Sequence, residues 1–404
     1  CQRQTATPAG FAGPRGSCPT EETRMTPKER VRAAIEHREP DIVPVGEWII
    51  DYEPASLVLG RPSFLRGKMD LAQALWDGRR DEIVDSTKRD IVELTRRLDG
   101  DLVCADLTYP KDARYERPQQ VDHETWRDRH GNVLRYSDLT KDLMLLEVGS
   151  APVEPPLPDR FVEGEFCPDP SELDVIEYVL KELGKTHFVF AGIGDAHLPY
   201  FSARWVEENM LRLADDPDGL AEEYLAGYQA HARRIPFFAK LGFDAVLVGD
   251  DYGFNSGPFM SPAAFRRVFF PALKHICDVA HANGLFLICH SCGNLRLILP
   301  DMIEAGIDVY QGIQPIEDIA GLKRDFGKEV CLWGGVSNHD LVLASPDEIR
   351  RQVKESVEAC APGGGIMLGS SHSITVQTPL ANILAYFEAA GRQPQPAQPA
   401  AAGG

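Results

Sequence analysis

The sequence predicts an α/β fold, a (β/α)₈ TIM barrel with an N-terminal helix and a β-hairpin insertion after the second strand. Three observations predict it: eight short apolar runs, longer stretches of helical apolar spacing between them, and the absence of a glycine-rich phosphate turn. Runs that are apolar throughout are typical of parallel strands buried on both faces. Their regular alternation with helices favours a closed barrel over an open doubly wound sheet, which would normally carry such a turn.

The strands and helices are predicted in turn along the chain. Thr26, Pro27 and Glu29 predict the start of the N-terminal helix, because a cap residue followed by proline and an acidic first turn favours helix initiation. That helix is expected to end near residue 37. The predicted strands are 42–46, 102–105, 188–194, 245–249, 285–289, 309–313, 330–336 and 366–370. The main predicted helices are 204–214, 220–241, 262–282, 294–305, 316–326, one that begins after Ser345, and 379–390.

Three segments depart from this alternation. Residues 126–137 predict a hairpin with its turn at 130–132, inside an insertion at 107–165 that could cover the barrel mouth. The segment 1–24 has no apolar period, and 391–404 is rich in Pro, Ala and Gln. Both ends are therefore expected to be disordered, which leaves residues 25–390 as the barrel domain.

The composition indicates which kinds of molecule the protein is expected to bind and which it is not. Lys and Arg number 42 against 61 Asp and Glu, a formal net charge of −19. Such a surface repels phosphate backbones and anionic membranes, so we expect a small-molecule substrate and neither nucleic acid nor membrane as a partner. The nine scattered cysteines form no disulfide framework, and no run of 18 apolar residues occurs. These features predict a cytoplasmic protein.

Polar side chains follow most of the predicted strands at their carboxyl ends, which in a barrel meet at one mouth. Asp250 and Asp251 are adjacent after the fourth strand, so one of them is expected to face the mouth. Asp195 and His197, after the third strand, are either a general acid and base or ordinary loop residues. The candidate catalytic residues are therefore Asp250, Asp195 and Glu47, the last of which follows the first strand.

The strongest local feature is the pair His290 and Cys292 at the end of the fifth predicted strand. Residues i and i+2 of an extended segment point to the same side, so both can face the mouth. Imidazole and thiolate are common zinc ligands, and a third ligand from another strand would leave one catalytic position open. His372, after the eighth strand, is the natural third metal ligand. Glu47, Asp250 or Asp251 could supply an oxygen.

Other interpretations of this cluster stay open. His290 could be a hydrogen-bonded core histidine and Cys292 a small buried hydrophobe, which would leave a metal-free polar site. Cys289 and Cys292 also match C-x-x-C, a redox motif in a suitable fold. Two ligand types on one strand face favour the metal, whereas the lack of a clear third cysteine counts against it.

Over about residues 25–390 the chain resembles the uroporphyrinogen decarboxylase-like superfamily, whose members are (β/α)₈ barrels. The resemblance is most specific from Asp250 onward. It is carried by segments 25–31, 39–45, 250–253, 261–271, 290–294 and 333–336, together with Ser371, His372, Thr378, Pro379 and Asn382.

Within that superfamily the chain resembles the corrinoid-dependent branch, of the methylcobalamin:coenzyme M methyltransferase type. True uroporphyrinogen decarboxylases carry an early arginine-rich segment that binds substrate carboxylates, and here 48–53 reads Trp-Ile-Ile-Asp-Tyr-Glu instead. The methyltransferases bind zinc through an H-x-C pair and a later cysteine. His290 and Cys292 match the pair, and His372 stands at the later position.

The resemblance implies a zinc-dependent enzyme that moves a methyl group between a small methylated or thiol substrate and a separate corrinoid protein. No D-x-H-x-x-G corrinoid motif occurs in the chain, so the corrinoid would arrive on a partner. Two alternatives stay open: a metal-free decarboxylase or lyase of the uroporphyrinogen decarboxylase type, and a non-catalytic barrel that binds a ligand.

Overall fold

The centre of the molecule is a curled, all-parallel sheet. The computed structural model describes residues 24–147, 149, 161–162, 164–195 and 203–397. In the described part, seven strands pair in the order in which they occur along the chain. They are β1 (Leu102–Cys104), β2 (Phe188–Asp195), β3 (Ala245–Gly249), β4 (Phe286–His290), β5 (Val309–Ile313), β6 (Cys331–Val336) and β7 (Ile366–Ser370).

The first predicted strand, 42–46, is reduced to a single bridge, which corrects the sequence-based expectation. Val45 pairs in parallel with Leu368 of β7. The carbonyl of Val45 accepts a hydrogen bond from the Asp101 amide at 2.8 Å, so this segment lies between the two outer strands of the sheet. Its ladder stops because the side chain of Glu47, not a backbone carbonyl, accepts the amide hydrogen of Ser370 at 2.8 Å.

Helices follow or precede each strand. No described helix is long and apolar enough to cross a membrane. The α-helices are Pro27–Ile35, Tyr52–Leu59, Lys68–Trp76, Arg80–Leu98, Asp174–Leu183, Ala203–Asp215, Pro217–Ala232, Ile235–Leu241, Pro262–Val268, Phe270–Ala282, Leu299–Ala305, Ile319–Phe326, Asn338–Leu343, Pro346–Cys360 and Leu380–Ala389, with 3₁₀ turns at Pro170–Leu173 and Pro315–Glu317.

Two of the predicted helices are each divided into two. The predicted helix 220–241 breaks between Ala232 and Ile235, and the predicted helix 262–282 breaks at Phe269. In both, a proline occupies the first turn of the second piece, where its missing N–H leaves no helical bond to the turn before it. Four helices between 52 and 183 were not predicted, although Arg80–Leu98 buries apolar residues at helical spacing.

The insertion after β1 contains a small antiparallel sheet. Its strands are Gln119–Gln120, Thr125–Arg127, Val133–Ser137 and Asp142–Glu147, and the predicted hairpin is its central pair, with Trp126 opposite Leu134. The Asp128 side chain accepts hydrogen bonds from the amides of His130 and Asn132, at 2.8 and 2.9 Å, and so forms the turn. A short hairpin, Phe161–Val162 with Glu165–Phe166, follows.

Alternate residues of the central strands face two different cores. One set packs inside the sheet's curl and the other packs against the helices, as expected for strands buried on both faces. Trp333 is fully buried in the inner set, and its indole Nε1 donates to the carbonyl of Gly46 at 3.1 Å. The inner set comprises Leu102, Phe188, Phe190, Ala245, Leu247, Ile288, Val309, Cys331, Trp333 and Met367, with Val31, Ala34 and Ile35 of the first helix below them.

The chain after residue 390 does not fit the predicted disordered tail. Arg392 is buried, and its guanidinium forms an ion pair with the buried carboxylate of Asp101 and donates to the carbonyl of Val43 at 2.9 Å. The amide of Ala397 also donates to the carbonyl of Val58, at 2.9 Å. Burying a charge is costly unless it is paired, and Asp101 supplies the pair. Folded structure therefore continues past residue 390.

Candidate metal centre and active site

The predicted H-x-C pair lies at the carboxyl end of β4. His290 is the last residue of the strand, and Cys292 follows two residues later. The His290 Nε2 and the Cys292 Sγ are 3.6 Å apart. Directly after this pair, Gly293 has a φ of 94°, and a Cβ there would collide with the backbone of Gly253. Only glycine therefore permits the turn that carries the chain away from the site.

His372 completes a three-residue cluster. Its ring centroid is 5.0 Å from that of His290, with the rings nearly perpendicular. One potential ligand atom from each of His290, Cys292 and His372 lies within 4.8 Å of the other two, the one group of this kind among the described residues. The predicted set of metal ligands is thus brought together from the ends of two strands that are not neighbours in the sheet.

The ring of His290 is held by Gln311 on the adjacent strand β5. The Nδ1 of His290 forms a short hydrogen bond with the Oε1 of Gln311, and both side chains are buried. The Gln311 amide in turn donates to the carbonyl of Ser370 at 3.5 Å. Because an amide oxygen only accepts, Nδ1 carries the proton and Nε2 keeps its lone pair on the side of Cys292.

Trp48 covers both imidazoles. Its ring centroid lies 4.9 Å from the ring of His290 and 6.0 Å from the ring of His372. Trp48 also lines a cavity of about 370 Å³ together with Asp106, Gly192 and other residues at the carboxyl ends of β1 and β2. The indole therefore forms the wall that the cluster shares with this cavity at the mouth of the sheet.

Of the two adjacent aspartates, Asp251 is the one beside the cluster. Its Oδ1 accepts a hydrogen bond from the Cys292 amide at 2.7 Å and lies 3.8 Å from the His290 Nε2. Asp250 is buried on another side, where its Oδ2 accepts from the Tyr228 hydroxyl at 3.1 Å. The structure therefore places Asp251, and not Asp250, beside the cluster, while the catalytic role predicted for Asp250 stays a prediction.

Glu47 is buried and bound to the end of β7, outside the three-residue cluster. Its two carboxyl oxygens accept from the amide and the hydroxyl of Ser370, at 2.8 and 2.5 Å. Burial raises the pKa of Glu47 to about 7, against the lowering effect of those hydrogen bonds. Asp195 ends β2, but its side chain and all of His197 lie outside the described residues.

The electrostatic surroundings set different protonation states for the ligands. Burial lowers the pKa of His372 to about 4, and the nearby His290 and Arg66 act in the same direction. A neutral imidazole has a lone pair free for a metal without first losing a proton. Burial, and then the charge of Asp251, raises the pKa of the Cys292 thiol. A bound dication would reverse that effect, since a coordinated thiol is deprotonated.

The donor set fits zinc. Nitrogen and sulfur ligands at ~2.0 and ~2.3 Å from a tetrahedral zinc are ~3.5 Å apart, close to the separation of His290 and Cys292. The Nδ1 of His372 is 2.9 Å from the Ser373 hydroxyl, which leaves Nε2 of that ring for a ligand. Three protein ligands leave a fourth position open, as in catalytic zinc sites.

Asp106 lies at the mouth two residues after the end of β1, and it is not among the predicted catalytic residues. Its Oδ1 accepts a hydrogen bond from the Gly192 amide at 2.7 Å, which places the carboxyl between β1 and β2. Desolvation raises its pKa. Gln311 and Trp48 were also missed. Their roles depend on contacts across strands, for which a local sequence pattern carries no signal.

Residues 228–393 match the uroporphyrinogen decarboxylase (URO-D) family. A methylcobamide:CoM methyltransferase of Methanosarcina barkeri is 30% identical over 149 residues, 37% of this chain and 41% of that protein. A chloroplastic uroporphyrinogen decarboxylase of Zea mays is 29% identical over 161 residues, 39% of each chain. The matched segment thus spans about two fifths of the length of these relatives.

A solved methyltransferase from Methanosarcina mazei has a similar fold. It superimposes with a TM-score of 0.60 over 91% of this chain and 99% of that chain, at 18% sequence identity. At that identity the likeness shows the α/β fold alone. These sequence relatives, a methyltransferase and a decarboxylase, lie in the superfamily that the residues at 250–294 and 333–382 resemble, and the match of this chain is nearer to the methyltransferase branch.

Proposed function

We propose, from the premise that residues 228–393 of this chain belong to the URO-D family, that the protein is a zinc-dependent methyltransferase. It would move a methyl group between a small methylated or thiol substrate and a separate corrinoid protein. We further propose that the seven-stranded sheet and the segment at Val45 together make one (β/α)₈ barrel, whose mouth holds the reaction.

The observation that carries this proposal is the His290, Cys292 and His372 cluster at the mouth of the sheet. A metal-free decarboxylase has no need of two imidazoles and a thiol with their ligand atoms within one coordination sphere. The M. barkeri relative, which is named a methylcobamide:CoM methyltransferase, supports the choice of reaction.

The chemistry follows from the ligand set. When bound, zinc would act as a Lewis acid that lowers the pKa of a substrate thiol or polarises a leaving heteroatom. His290 and Cys292 would hold it from β4, His372 would hold it from the end of β7, and Gln311 would fix the His290 ring. Trp48 would exclude water from one side. Hydrogen bonds and packing of this kind keep a site in its reactive geometry.

A substrate thiol that reacts as a thiolate loses its proton, so a proton acceptor is needed near the substrate. We assign that role to Asp251, because its carboxylate is already 3.8 Å from the His290 Nε2. Of the carboxylates first proposed, Glu47 would stay largely neutral below pH 7 and hold the end of β7 through Ser370. Asp250 would hold the hydroxyl of Tyr228 behind the site. Asp195 keeps its proposed acid–base role, as it ends the strand next to β3.

The test is a methyl-transfer assay with zinc-supplied protein. Methylcobalamin and a panel of small thiols are mixed with wild type and with Cys292→Ala, and loss of the methyl–cobalt absorbance is followed. We expect thiol-dependent demethylation with the wild type and a fall of at least about a hundredfold with the variant. Cys289→Ala is the matched control, because Cys289 is buried one residue before His290 and outside the cluster.

A second candidate is a metal-independent decarboxylation, which the Asp106 carboxyl favours. Its raised pKa would suit a proton donor, and the Z. mays relative is named a uroporphyrinogen decarboxylase. This reaction would survive Cys292→Ala and be lost in Asp106→Asn, whereas methyl transfer would be lost in Cys292→Ala. Carbon dioxide release from an acidic substrate is the corresponding assay.

A further inference from the structure

The small antiparallel sheet of the insertion ends in an exposed, apolar edge strand. Its four strands pair in the order of the sequence, so Asp142–Glu147 has a neighbouring strand on one side only in the described part of the chain. Met144, Leu145 and Leu146 are 51%, 46% and 57% exposed, and no charge or proline interrupts residues 143–146. Edge strands are usually protected by charges, proline or a covering segment, because an open edge pairs readily with another chain.

The register of the sheet shows which backbone groups of this strand point outward. Tyr136, in the neighbouring strand, donates its amide to the carbonyl of Glu124 at 2.8 Å, on the side away from the edge strand. Leu143 lies opposite Tyr136. In an antiparallel sheet a residue directs its N–H and C=O to the same side, and hydrogen-bonded pairs alternate with non-hydrogen-bonded pairs. The amide and carbonyl of Leu143 therefore point away from the sheet, as do those of Leu145 two residues later.

Most of these outward groups are open to another strand. In the described part of the chain, the outward N–H and C=O of Leu145 have no hydrogen-bond partner. The Leu143 amide donates to the Oδ1 of its neighbour Asp142 at 2.9 Å, a local bond that leaves the Leu143 carbonyl open. The edge is covered only where the strand begins, since the Lys141 carbonyl accepts from the Met69 amide at 3.1 Å. A strand of another chain can therefore pair from Leu143 onward.

We propose that this edge pairs with the same edge of a second copy of the chain, antiparallel and about a two-fold axis at Met144. Such a pairing places Leu143 of one protomer opposite Leu145 of the other, and both residues direct their backbone groups outward. Each Leu145 amide would donate to a Leu143 carbonyl, and the two four-stranded sheets would join into one of eight strands. Met144, Leu145 and Leu146 of both copies would leave water, which favours association.

The charges at the two ends of the strand favour a second copy as the partner. Lys141 precedes the strand and Glu147 is its last residue. Pairing about Met144 puts Lys141 of each protomer opposite Glu147 of the other, and facing opposite charges stabilise a sheet whereas like charges destabilise it. Within one chain Lys141 pairs with the largely exposed Asp138, and exposed ion pairs contribute little, so its charge remains available. The strand is thus complementary to itself, as a two-fold interface requires.

The test is sedimentation velocity of the full chain at about 1–100 μM, which covers dissociation constants in the micromolar range. We expect the wild type to shift from monomer to dimer as its concentration rises. Leu145→Pro removes an outward N–H but no hydrogen bond within the sheet. It should therefore keep the far-UV circular dichroism of the wild type and dimerise at least about tenfold more weakly. A wild type that stays monomeric over the whole range would overturn the proposal.

Further variants keep the test decisive if proline disturbs the strand. Leu145→Lys places a charge on the edge and should also weaken dimerisation. Leu343→Lys is the matched control, because Leu343 is 69% exposed but lies on a helix after β6, and it should dimerise as the wild type does.

The charges at the strand ends test the register. Glu147→Lys should weaken the dimer by placing like charges opposite each other, and adding Lys141→Glu in the same chain should restore it. An unchanged dimer in both Leu145 variants, or no restoration in the double variant, would contradict the proposed pairing. Because sedimentation requires neither zinc nor a methyl donor, failure of methyl transfer leaves this result unaffected.

Discussion

The Nε2 of His290 lies 3.6 Å from the Sγ of Cys292, two residues further along the chain. His290 is the last residue of its strand, and Cys292 comes two residues later. Because alternate residues of an extended segment point to the same face, the two side chains lie side by side. The Asp251 carboxylate holds the backbone of Cys292 in place, because its Oδ1 accepts a hydrogen bond from the Cys292 amide at 2.7 Å. The backbone and these neighbour contacts therefore hold the two side chains on one face.

The contact of Gln311 with His290 predicts a loss of metal affinity in Gln311→Leu. Leucine has a similar size but cannot accept from Nδ1, so the ring would be free to turn. We expect zinc to bind ~10–100-fold more weakly, measured by competition with a chromogenic chelator. Gln352→Leu is the control, because Gln352 is also buried but bonds Asp340 and Ser337 instead. Unchanged zinc affinity in Gln311→Leu would refute the role of Gln311.

Trp48 should report on events at the cluster. Its indole packs on both imidazoles, so zinc binding should change its fluorescence emission. In Trp48→Phe most of the zinc-dependent change should disappear. In Trp76→Phe it should persist, since Trp76 lies on the helix Lys68–Trp76 and packs against Arg117. A zinc-dependent change that survives Trp48→Phe would place the metal elsewhere.

The raised pKa of Glu47 predicts that the free energy of unfolding depends on pH. Its folded pKa of about 7 exceeds the ordinary value of 4.5, so the folded state binds the proton more tightly. The associated stability is present in full below pH 4.5 and is lost as pH rises through 7. The rise in pKa corresponds to at most ~3 kcal/mol.

In Glu47→Gln the free energy of unfolding should therefore decline less between pH 4.5 and pH 7 than in the wild type. Urea titrations at a series of pH values give the two slopes. Glu358→Gln, at an exposed position, should keep the wild-type slope. Identical slopes for the wild type and Glu47→Gln would contradict the assignment.

The buried ion pair between Arg392 and Asp101 predicts that the chain beyond residue 390 stabilises the fold. Arg392→Ala removes one partner of the buried pair with Asp101, which typically costs ~3–5 kcal/mol, although Arg30 still faces Asp101. We expect a loss near the lower figure, measured by urea denaturation. Arg350→Ala removes an exposed pair with Glu388 and should cost less than ~1 kcal/mol. A wild-type midpoint for Arg392→Ala would restore the predicted disordered tail.

The central strands could be predicted because their burial on both faces leaves an uninterrupted apolar run, as at Ala245–Gly249. The segment 42–46 is similarly apolar but makes one bridge, because the Glu47 side chain accepts the next hydrogen bond in place of a backbone carbonyl. Arg392 was placed in a disordered tail because proline and glutamine surround it. Its binding to Asp101 joins residues 291 positions apart, and no local pattern encodes that.

The part of the candidate site that depends on residues close in sequence could also be predicted. His290 and Cys292 are close in sequence, so their shared face follows from strand geometry, and His372 follows from its place after β7. The choice between Asp250 and Asp251 depends on where the chain turns after β3, which the order of residues does not specify. Gln311 and Trp48 act across the mouth of the sheet, where neighbours are set by the register of strands.

The most direct test of the account is the zinc content of the purified full chain. Protein prepared with zinc and dialysed against metal-free buffer is assayed by mass spectrometry for wild type, Cys292→Ala and Cys289→Ala. The account predicts about one zinc per chain in wild type and Cys289→Ala, and far less in Cys292→Ala. Folded wild-type protein without zinc, or equal zinc in Cys292→Ala, would contradict a metal centre at His290, Cys292 and His372.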